Sequence, residues 1–560
     1  MPLSAPSGNA RQVEMEVNPM AELLMAEMPR NEMDQLLTYG PGTPEREQLI
    51  AALESIKGEY VEIPLIIGDT PVRTGRTTEV RPPHDYRRAL AKAHLAGEVE
   101  LLQAIELSRR AHVKWSAMDV RERADIFRDA ADILAGPKRI EMIAAIMIDL
   151  SKTPYEAEID LIELVDFWRF NAYYAEFLHE QQPGQWVEEH NRFDWRPLEG
   201  FVAAVTPFNF VAIAGNLPSA PAMVGNVVIW KPSRSVLLSN YRIMPILQQP
   251  GLPDGVINFM PFESSQSKTL FNHRSLAGLH FTGSSETLLH LWQRISANLG
   301  KYRSFPRVVG EAGGKDFIMV HRSADPLAVA ANAIRGAFEY QGQKCSAASR
   351  MYVPESLWDD IRSLLLDEIP NVRYGPVDGL NVAMGSIINQ AAFDKVKSYI
   401  QFAKNHANEY EVIYGGRCDD TDGWFVELTL VVTTSPKGKL ITEEIFGPVL
   451  TILVYPDEAY EGMLHLCNET TAYGLTGSIF ARDDEAIKMA EDVLRFAAGN
   501  FYINDKPSGS IVNRQPFGGG RRSGTNDKSG HWLNLTRWMS PRTIKEALNP
   551  ALLWQRPYMK

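Results

Sequence analysis

The residues best suited to chemistry gather at Glu339-Tyr340-Gln341-Gly342-Gln343-Lys344-Cys345-Ser346. Cys345 follows a glycine turn and precedes the small residues Ser346, Ala347 and Ala348, which suits a thiol that must meet a substrate. A free cysteine otherwise behaves as a small, buried hydrophobe, so this one acquires meaning only from its company. Upstream, Glu311 stands in Gly310-Glu311-Ala312-Gly313-Gly314-Lys315, at the mouth of a strand. A thiol and a carboxylate on adjacent loops make a nucleophile and its general base.

The elements that must position these groups read as alternating strands and helices. Phe201 to Val205 and Asn226 to Trp230 are continuous apolar runs of the buried parallel-strand type. Val256 to Phe259 and Gly278 to Phe281 follow, with helical stretches between them. This pattern predicts a doubly wound parallel sheet with ligands at the carboxyl ends of its strands, where Asn209, Lys231 and Ser284 all fall. No Gly-x-Gly-x-x-Gly occurs, but Thr282-Gly283-Ser284 turns the chain into a helix whose N-terminus can face a pyrophosphate. A second α/β unit is expected over residues 308–485, with strands at Asp316 to Val320, Arg350 to Val353 and Val449 to Val454.

Around this core, residues 1–42 read as a weakly ordered or docking extension holding one short helix from Met20 to Leu37. Thr43 and Pro44 open a helix to Lys57, and Ile63 to Gly75 is a strand pair turning at Gly68-Asp69. Two amphipathic helices are expected from Glu98 to Leu134 and two more from Arg139 to Phe177, where Glu163 reads as part of a solvated face. Trp186 to Trp195, inside residues 184–198, reads as a protruding hairpin.

Composition bounds the function. The 560 residues are 45% hydrophobic and 22% charged, ordinary for a multi-domain globular protein. A net charge of −12 excludes nucleic acid as the expected partner. The three cysteines, Cys345, Cys418 and Cys467, form neither a disulfide framework nor a metal-ligand spacing, so no metal is expected and a reducing compartment is. No apolar run reaches the ~18 residues of a membrane span. Glu14, Glu16, Glu22 and Glu27 argue against a transit peptide, so a cytoplasmic setting is expected, or the mitochondrial matrix in a eukaryote.

The ordered motifs Pro207-Phe208-Asn209, Trp230-Lys231-Pro232-Ser233, Phe281-Thr282-Gly283-Ser284, Glu311-Ala312-Gly313-Gly314-Lys315, Gly342-Gln343-Lys344-Cys345, Glu444-Ile445-Phe446-Gly447-Pro448 and Pro516-Phe517-Gly518-Gly519 resemble the aldehyde dehydrogenase superfamily. Phe338-Glu339-Tyr340, Ala498 to Lys506 and Ser523 to Lys528 are similar to its branch that oxidises glutamate 5-semialdehyde, the open form of 1-pyrroline-5-carboxylate, to glutamate. The resemblance implies an aldehyde dehydrogenase-like α/β fold: an NAD-binding domain over residues 43–307, a catalytic domain, and a return with substrate loop over residues 486–528. It also implies a small β oligomerisation flap, made of the hairpin and a tail over residues 529–560, that joins a homodimer or higher homo-oligomer.

The same resemblance implies roles. Cys345 is the nucleophile, Glu311 activates water, and Asn209 holds the oxyanion. Lys231, Ser233, Gly283, Ser284, Ser285, Glu286, Thr287, Leu288, Glu444 and Phe446 bind NAD. Ser346, Gly509 and Ser510 hold the substrate carboxylate, Phe210 and Phe517 flank its chain, and Glu163 faces its amino group, against the solvated-face reading. Arg234 replaces the acid usual after the Lys-Pro-Ser motif, so NADP is weighed beside NAD. Competing readings are a dehydrogenase of another semialdehyde, such as the succinic one, and a binding protein that keeps the fold without catalysis. The latter is expected to lose Cys345, Glu311 or Asn209, and all three are present.

Overall fold

The computed structural model describes residues 28–559. Its organising feature is a pair of seven-stranded sheets, each five or six parallel strands with antiparallel additions at one edge. The first sheet contains β1 (Phe201–Val205), β2 (Val227–Lys231), β3 (Ile257–Phe259), β4 (Leu276–Gly283) and β5 (Arg307–Ala312) in the spatial order β5-β4-β1-β2-β3. The expected turn at Gly68-Asp69 joins Leu65–Ile67 to Thr70–Val72, the antiparallel edge beyond β3. The apolar runs are fully buried because helices cover both faces of the sheet.

The second sheet contains β6 (Asp316–Val320), β7 (Ala348–Pro354), β8 (Thr429–Thr433), β9 (Val449–Tyr455), β10 (Thr476–Phe480) and β11 (Asn500–Ile503), in the order β8-β9-β7-β6-β10-β11. Tyr410–Tyr414 pairs antiparallel to β8 at its edge. Three helices matter most for the site. The 27-residue α1 (Pro154–Glu180) starts from a capping box in which Thr153 and Glu156 satisfy each other's backbone N–H groups. The helix α2 (Val211–Met223) follows β1, and α3 (Ser285–Ser296) follows β4 with Ser284 as its cap.

Several expected boundaries move. The strand starting at 307 hydrogen-bonds along β4 in the first sheet, so the second unit begins at Asp316 rather than at 308. Asn500–Ile503 pairs with β10 in the second sheet, whereas the reading of 486–528 sent it back to the first. The hairpin expected near Trp186 is one strand, Glu189–Pro197, whose partner Met539–Ala547 lies far along the chain. Short-range alternation cannot reveal so distant a partner. The tail expected from 529 begins only at Met539, because Leu535 and Trp538 are buried in the main core. Burying such a ring contributes on the order of 3 kcal/mol. The part of the helix expected from Met20 that precedes residue 28 lies outside the described residues. Beyond it only Glu32–Gln35 is helical, as a single 3₁₀ turn, and the segment is packed rather than loose.

Candidate active site

A cavity of ≈ 420 Å³ opens between the carboxyl ends of the first sheet and the amino ends of the second. Cys345 and Glu311 meet there, with Sγ donating to Glu311 Oε1 at 3.7 Å. Of the residues expected to hold substrate, Ser346, Gly509, Ser510, Phe210, Phe517 and Glu163 all line the same cavity. Glu163 is therefore not on a solvated face. It belongs to the stripe Tyr155, Ile159, Glu163, Phe167, spaced by four along α1 and turned inward. That spacing was legible in the sequence as one face of a helix.

The nucleophile loop has an unusual backbone. Tyr340, Gln341 and Gly342 all adopt left-handed conformations, with φ of 51°, 55° and 65°. Two such non-glycine residues cost about 1 kcal/mol or more each and persist only where their surroundings hold them. The Tyr340 N–H donates to the Glu156 carboxylate. The Gln341 side chain donates to the carbonyls of Ser151 at 3.0 Å and Ser386 at 2.8 Å. Gln343 accepts from the Ile388 N–H at 2.9 Å. At Gly342 a Cβ would come within 2.4 Å of the Gly447 carbonyl, which ties this loop to the Glu444–Pro448 motif. A Cβ on Gly313 would lie 1.7 Å from Glu444 Oε1, tying that motif to the Glu311 loop. Three motifs far apart in sequence are thus one packing unit.

Asn209 is buried at the end of β1, and its side-chain amide donates to the Gln343 carbonyl at 3.1 Å, two residues before Cys345. Asp160 of α1 fixes it by accepting the Val211 and Ala212 N–H groups at 3.0 and 2.8 Å, at the start of α2. Asp160 in turn pairs with the buried Lys152 at 2.7 Å, whose ammonium lies 3.8 Å from the Phe210 ring centre. This Lys152–Asp160–Glu156 set escaped the sequence reading. The capping box Thr153-x-x-Glu156 was its one visible signal.

The electrostatics favour protons on the acids. Burial pushes Glu311 up to about 7 and Glu163 up to about 8. Burial, then the carboxylates of Glu311, Asp316, Glu444 and Glu163, hold the Cys345 thiol well above its usual range. Lys344 does not offset this, because its ammonium pairs with Glu339 at 2.8 Å. His280 lines the cavity but is held neutral: burial lowers it to about 3, with Nδ1 at 2.9 Å from the Leu217 carbonyl.

On the far side of the thiol lie the residues expected to hold the cofactor. Lys231 ends β2, lowered to about 8 by burial and then by Arg234, and among the described residues no acceptor pairs with its ammonium. Ser284 accepts from the Thr287 N–H at 3.2 Å, Ser285 meets the Tyr473 hydroxyl at 3.1 Å, and Leu288 packs beneath Gly310. Glu286 and Thr287 are exposed on the first turn of α3, Gly283 packs tightly over the Phe281 ring, and Ser233 caps the short turn that carries Arg234. Glu444 accepts from the Gly314 N–H at 3.1 Å, and Phe446 stands edge-on to Phe208 with ring centres 5.9 Å apart. An unpartnered half-buried ammonium, a helix N-terminus and a carboxylate along one cleft fit a dinucleotide's ribose and pyrophosphate groups. Arg234 is exposed and turned to Glu263 at 3.5 Å.

Together these features bring a cysteine and a carboxylate to one cavity on a two-sheet α/β fold. Residues 71–544 match the model of the aldehyde dehydrogenase family, and the chain belongs to that family. It is 44% identical to the mitochondrial delta-1-pyrroline-5-carboxylate dehydrogenase of Bos taurus over 530 residues, 94% of each chain. The corresponding Danio rerio protein is 46% identical over 529 residues, 94% of this chain and 95% of that one. Among solved structures, the delta-pyrroline-5-carboxylate dehydrogenase of Mycobacterium tuberculosis bound with NAD superposes with a TM-score of 0.91 at 45% identity, covering 95% of this chain and 98% of the other. A Thermus 1-pyrroline-5-carboxylate dehydrogenase with bound NAD gives 0.86 at 29%, covering 95% and 100%.

Proposed function

We propose that this enzyme oxidises glutamate 5-semialdehyde to glutamate with NAD, the second step of proline catabolism. The observation that carries the proposal is a single cavity holding the Cys345–Glu311 pair together with Ser346, Gly509, Ser510 and Glu163. Relatives named for this activity, at 44–46% identity over nearly the whole chain, support it.

The thiol proton passes to Glu311, and the sulfur attacks the aldehyde carbon. The developing oxyanion is held by the Asn209 amide and the Cys345 N–H, donors already placed by their surroundings. Bound NAD would supply the hydride acceptor at this point, and loss of hydride from the carbon leaves a thioester on Cys345. Glu311, with its proton returned to solvent, takes one from water; the resulting hydroxide attacks the thioester and expels the thiolate. A carboxyl held near neutrality suits both transfers. The Ser346 and Ser510 hydroxyls and the backbone at Gly509 bind the substrate carboxylate without a full positive charge, and Glu163 receives its amino group. Phe210 and Phe517 flank the chain between them. Lys231, Ser233 and the start of α3, Gly283 to Leu288, hold the adenosine and pyrophosphate end, and Glu444 with Phe446 the nicotinamide ribose.

The ribbon of Glu189–Pro197 with Met539–Ala547 is the proposed dimer flap, since its nine-residue pairing stands outside both main sheets. Three unpaired cysteines support a reducing compartment, cytoplasm or matrix. The test is NADH formation with pyrroline-5-carboxylate, with succinic semialdehyde and with NADP in place of NAD. Selective turnover of pyrroline-5-carboxylate with NAD is the expected result. Turnover of succinic semialdehyde alone would sink the substrate assignment.

A further inference from the structure

The segment before Gly40 precedes the family match, which begins at residue 71, yet it reaches the cavity. Met33 and Leu36 line the cavity beside Ile159, Glu163 and Phe167. The anchoring is polar and buried. Asn31, only 5% exposed, donates to Asp166 Oδ2 at 2.9 Å and to the Val512 carbonyl at 3.0 Å, and accepts from Arg514 Nε at 3.1 Å. One amide therefore joins α1 to the loop that follows Gly509 and Ser510. Arg514 also pairs with Asp34, and Asn513 donates to Met28 Sδ at 3.0 Å.

The other anchors run along α1. The Glu32 N–H donates to Asp166 at 2.7 Å, while its carboxylate pairs with Arg139 at 3.0 Å and Arg169 at 2.8 Å. Glu158 accepts from the Leu37 N–H at 3.1 Å and from the Tyr39 hydroxyl at 2.6 Å. Glu158 and Asp166 are eight residues apart on one face of α1, about 12 Å. The segment is laid along that face, so Met33 and Leu36 overhang the adjacent stripe that carries Glu163.

We infer that residues 28–40 form a specificity strap: they fix the loop bearing Gly509 and Ser510 against α1 and wall off the cavity, so that selection of a long, carboxylate-bearing semialdehyde over short aldehydes depends on them. This rests on the substrate reading above. The strap's polar anchors are on α1, at Arg139 and in residues 512–514, away from Cys345 and Glu311, so its residues are positioning residues for the far end of the substrate. A short aldehyde lacking the carboxylate does not need that end.

The test uses the full chain with Asn31→Ala, Met33→Ala and Met33→Leu, assayed at saturating NAD on pyrroline-5-carboxylate and on propanal. Asn31→Ala should raise KM for the semialdehyde about tenfold, the size of one lost hydrogen bond to a buried carboxylate, with kcat/KM for propanal within about twofold. Met33→Ala should raise the same KM by about threefold to tenfold, and Met33→Leu should restore it. Amide hydrogen exchange over 509–513 should quicken in Asn31→Ala and stay unchanged in β1. Equal losses on both aldehydes, or unchanged KM with unchanged exchange, would overturn the strap. A wild-type enzyme that oxidises propanal but not the semialdehyde would overturn the substrate reading and the selectivity with it, while the exchange experiment would still report whether the strap holds the loop.

Discussion

The two sheets present opposite ends to the same cavity. In the first, the candidate residues come at or after the ends of their strands: Asn209 after β1, Lys231 closing β2, Ser284 after β4, Glu311 near the end of β5. In the second, Cys345 and Ser346 precede β7, and Glu444 and Phe446 precede β9. Carboxyl ends lead into helix N-termini, so the first sheet brings N–H donors suited to anions. The loop to Cys345 instead follows the C-terminus of the helix Pro326–Phe338. A thiol is usually activated at a helix N-terminus or beside a cation, whereas this one follows a helix C-terminus and the adjacent Lys344 ammonium is drawn to Glu339. The carboxylate that its sulfur meets, Glu311, comes from the opposite sheet.

Removing the second sheet's contribution should have the largest effect. Cys345→Ala should lower kcat for NADH formation by roughly 10³-fold or more, and any smaller loss would mean that the thiol is not the nucleophile. Glu311→Gln tests the first sheet's half of the pair. It should cost about 10²- to 10³-fold in steady-state rate. The wild-type rate should rise with pH through about 7, as the carboxylate fraction grows, and the variant should lose that limb. A variant that retains the limb would break the claim that the acceptor comes from across the cleft.

Glu163 sharpens the comparison on the α1 wall between them. Glu163→Gln should raise KM for the semialdehyde about tenfold and leave propanal nearly unchanged. Its folded carboxyl is raised to about 8, against about 4.3 for an ordinary glutamate, so the folded state holds a proton that the unfolded chain has released. Stability conferred below the ordinary value is therefore lost as pH climbs toward 8. The melting temperature of Glu163→Gln relative to wild type should increase between about pH 5 and about pH 9. A flat difference would place the carboxyl in solvent. Arg234→Ala, at the open edge of the first sheet, should change KM for NAD by less than about twofold, because its guanidinium is exposed and turned to Glu263. A large loss with NADP alone would assign it to a 2′-phosphate.

Much of this was legible in the chain. Apolar runs such as Phe201–Val205 and Val227–Lys231 announce buried parallel strands whatever surrounds them, and Thr43-Pro44 and Thr153-x-x-Glu156 announce helix starts. Asn209, Glu311 and Cys345 stood in local sequence that already looked like loops at strand ends. The residues that hold them were not legible. Asp160 acts on α2 across some fifty positions, and Gly342 meets the Gly447 carbonyl across a hundred. No local period encodes such pairs.

The sequence by itself determined which stretches are strands and helices, and which few polar residues sit where a parallel sheet exposes them, because periodicity and turn chemistry are local. Only the tertiary structure decided that Arg307–Ala312 belongs to the first sheet, that Asn500–Ile503 belongs to the second, and that the segment around Asn31 walls the cavity. It also decided that Glu163 faces the cavity, where burial pushes its carboxyl up to about 8, rather than lying on a solvated face. Burial, register and pairing between distant segments arise only when the chain has packed, since each depends on neighbours that sequence distance hides.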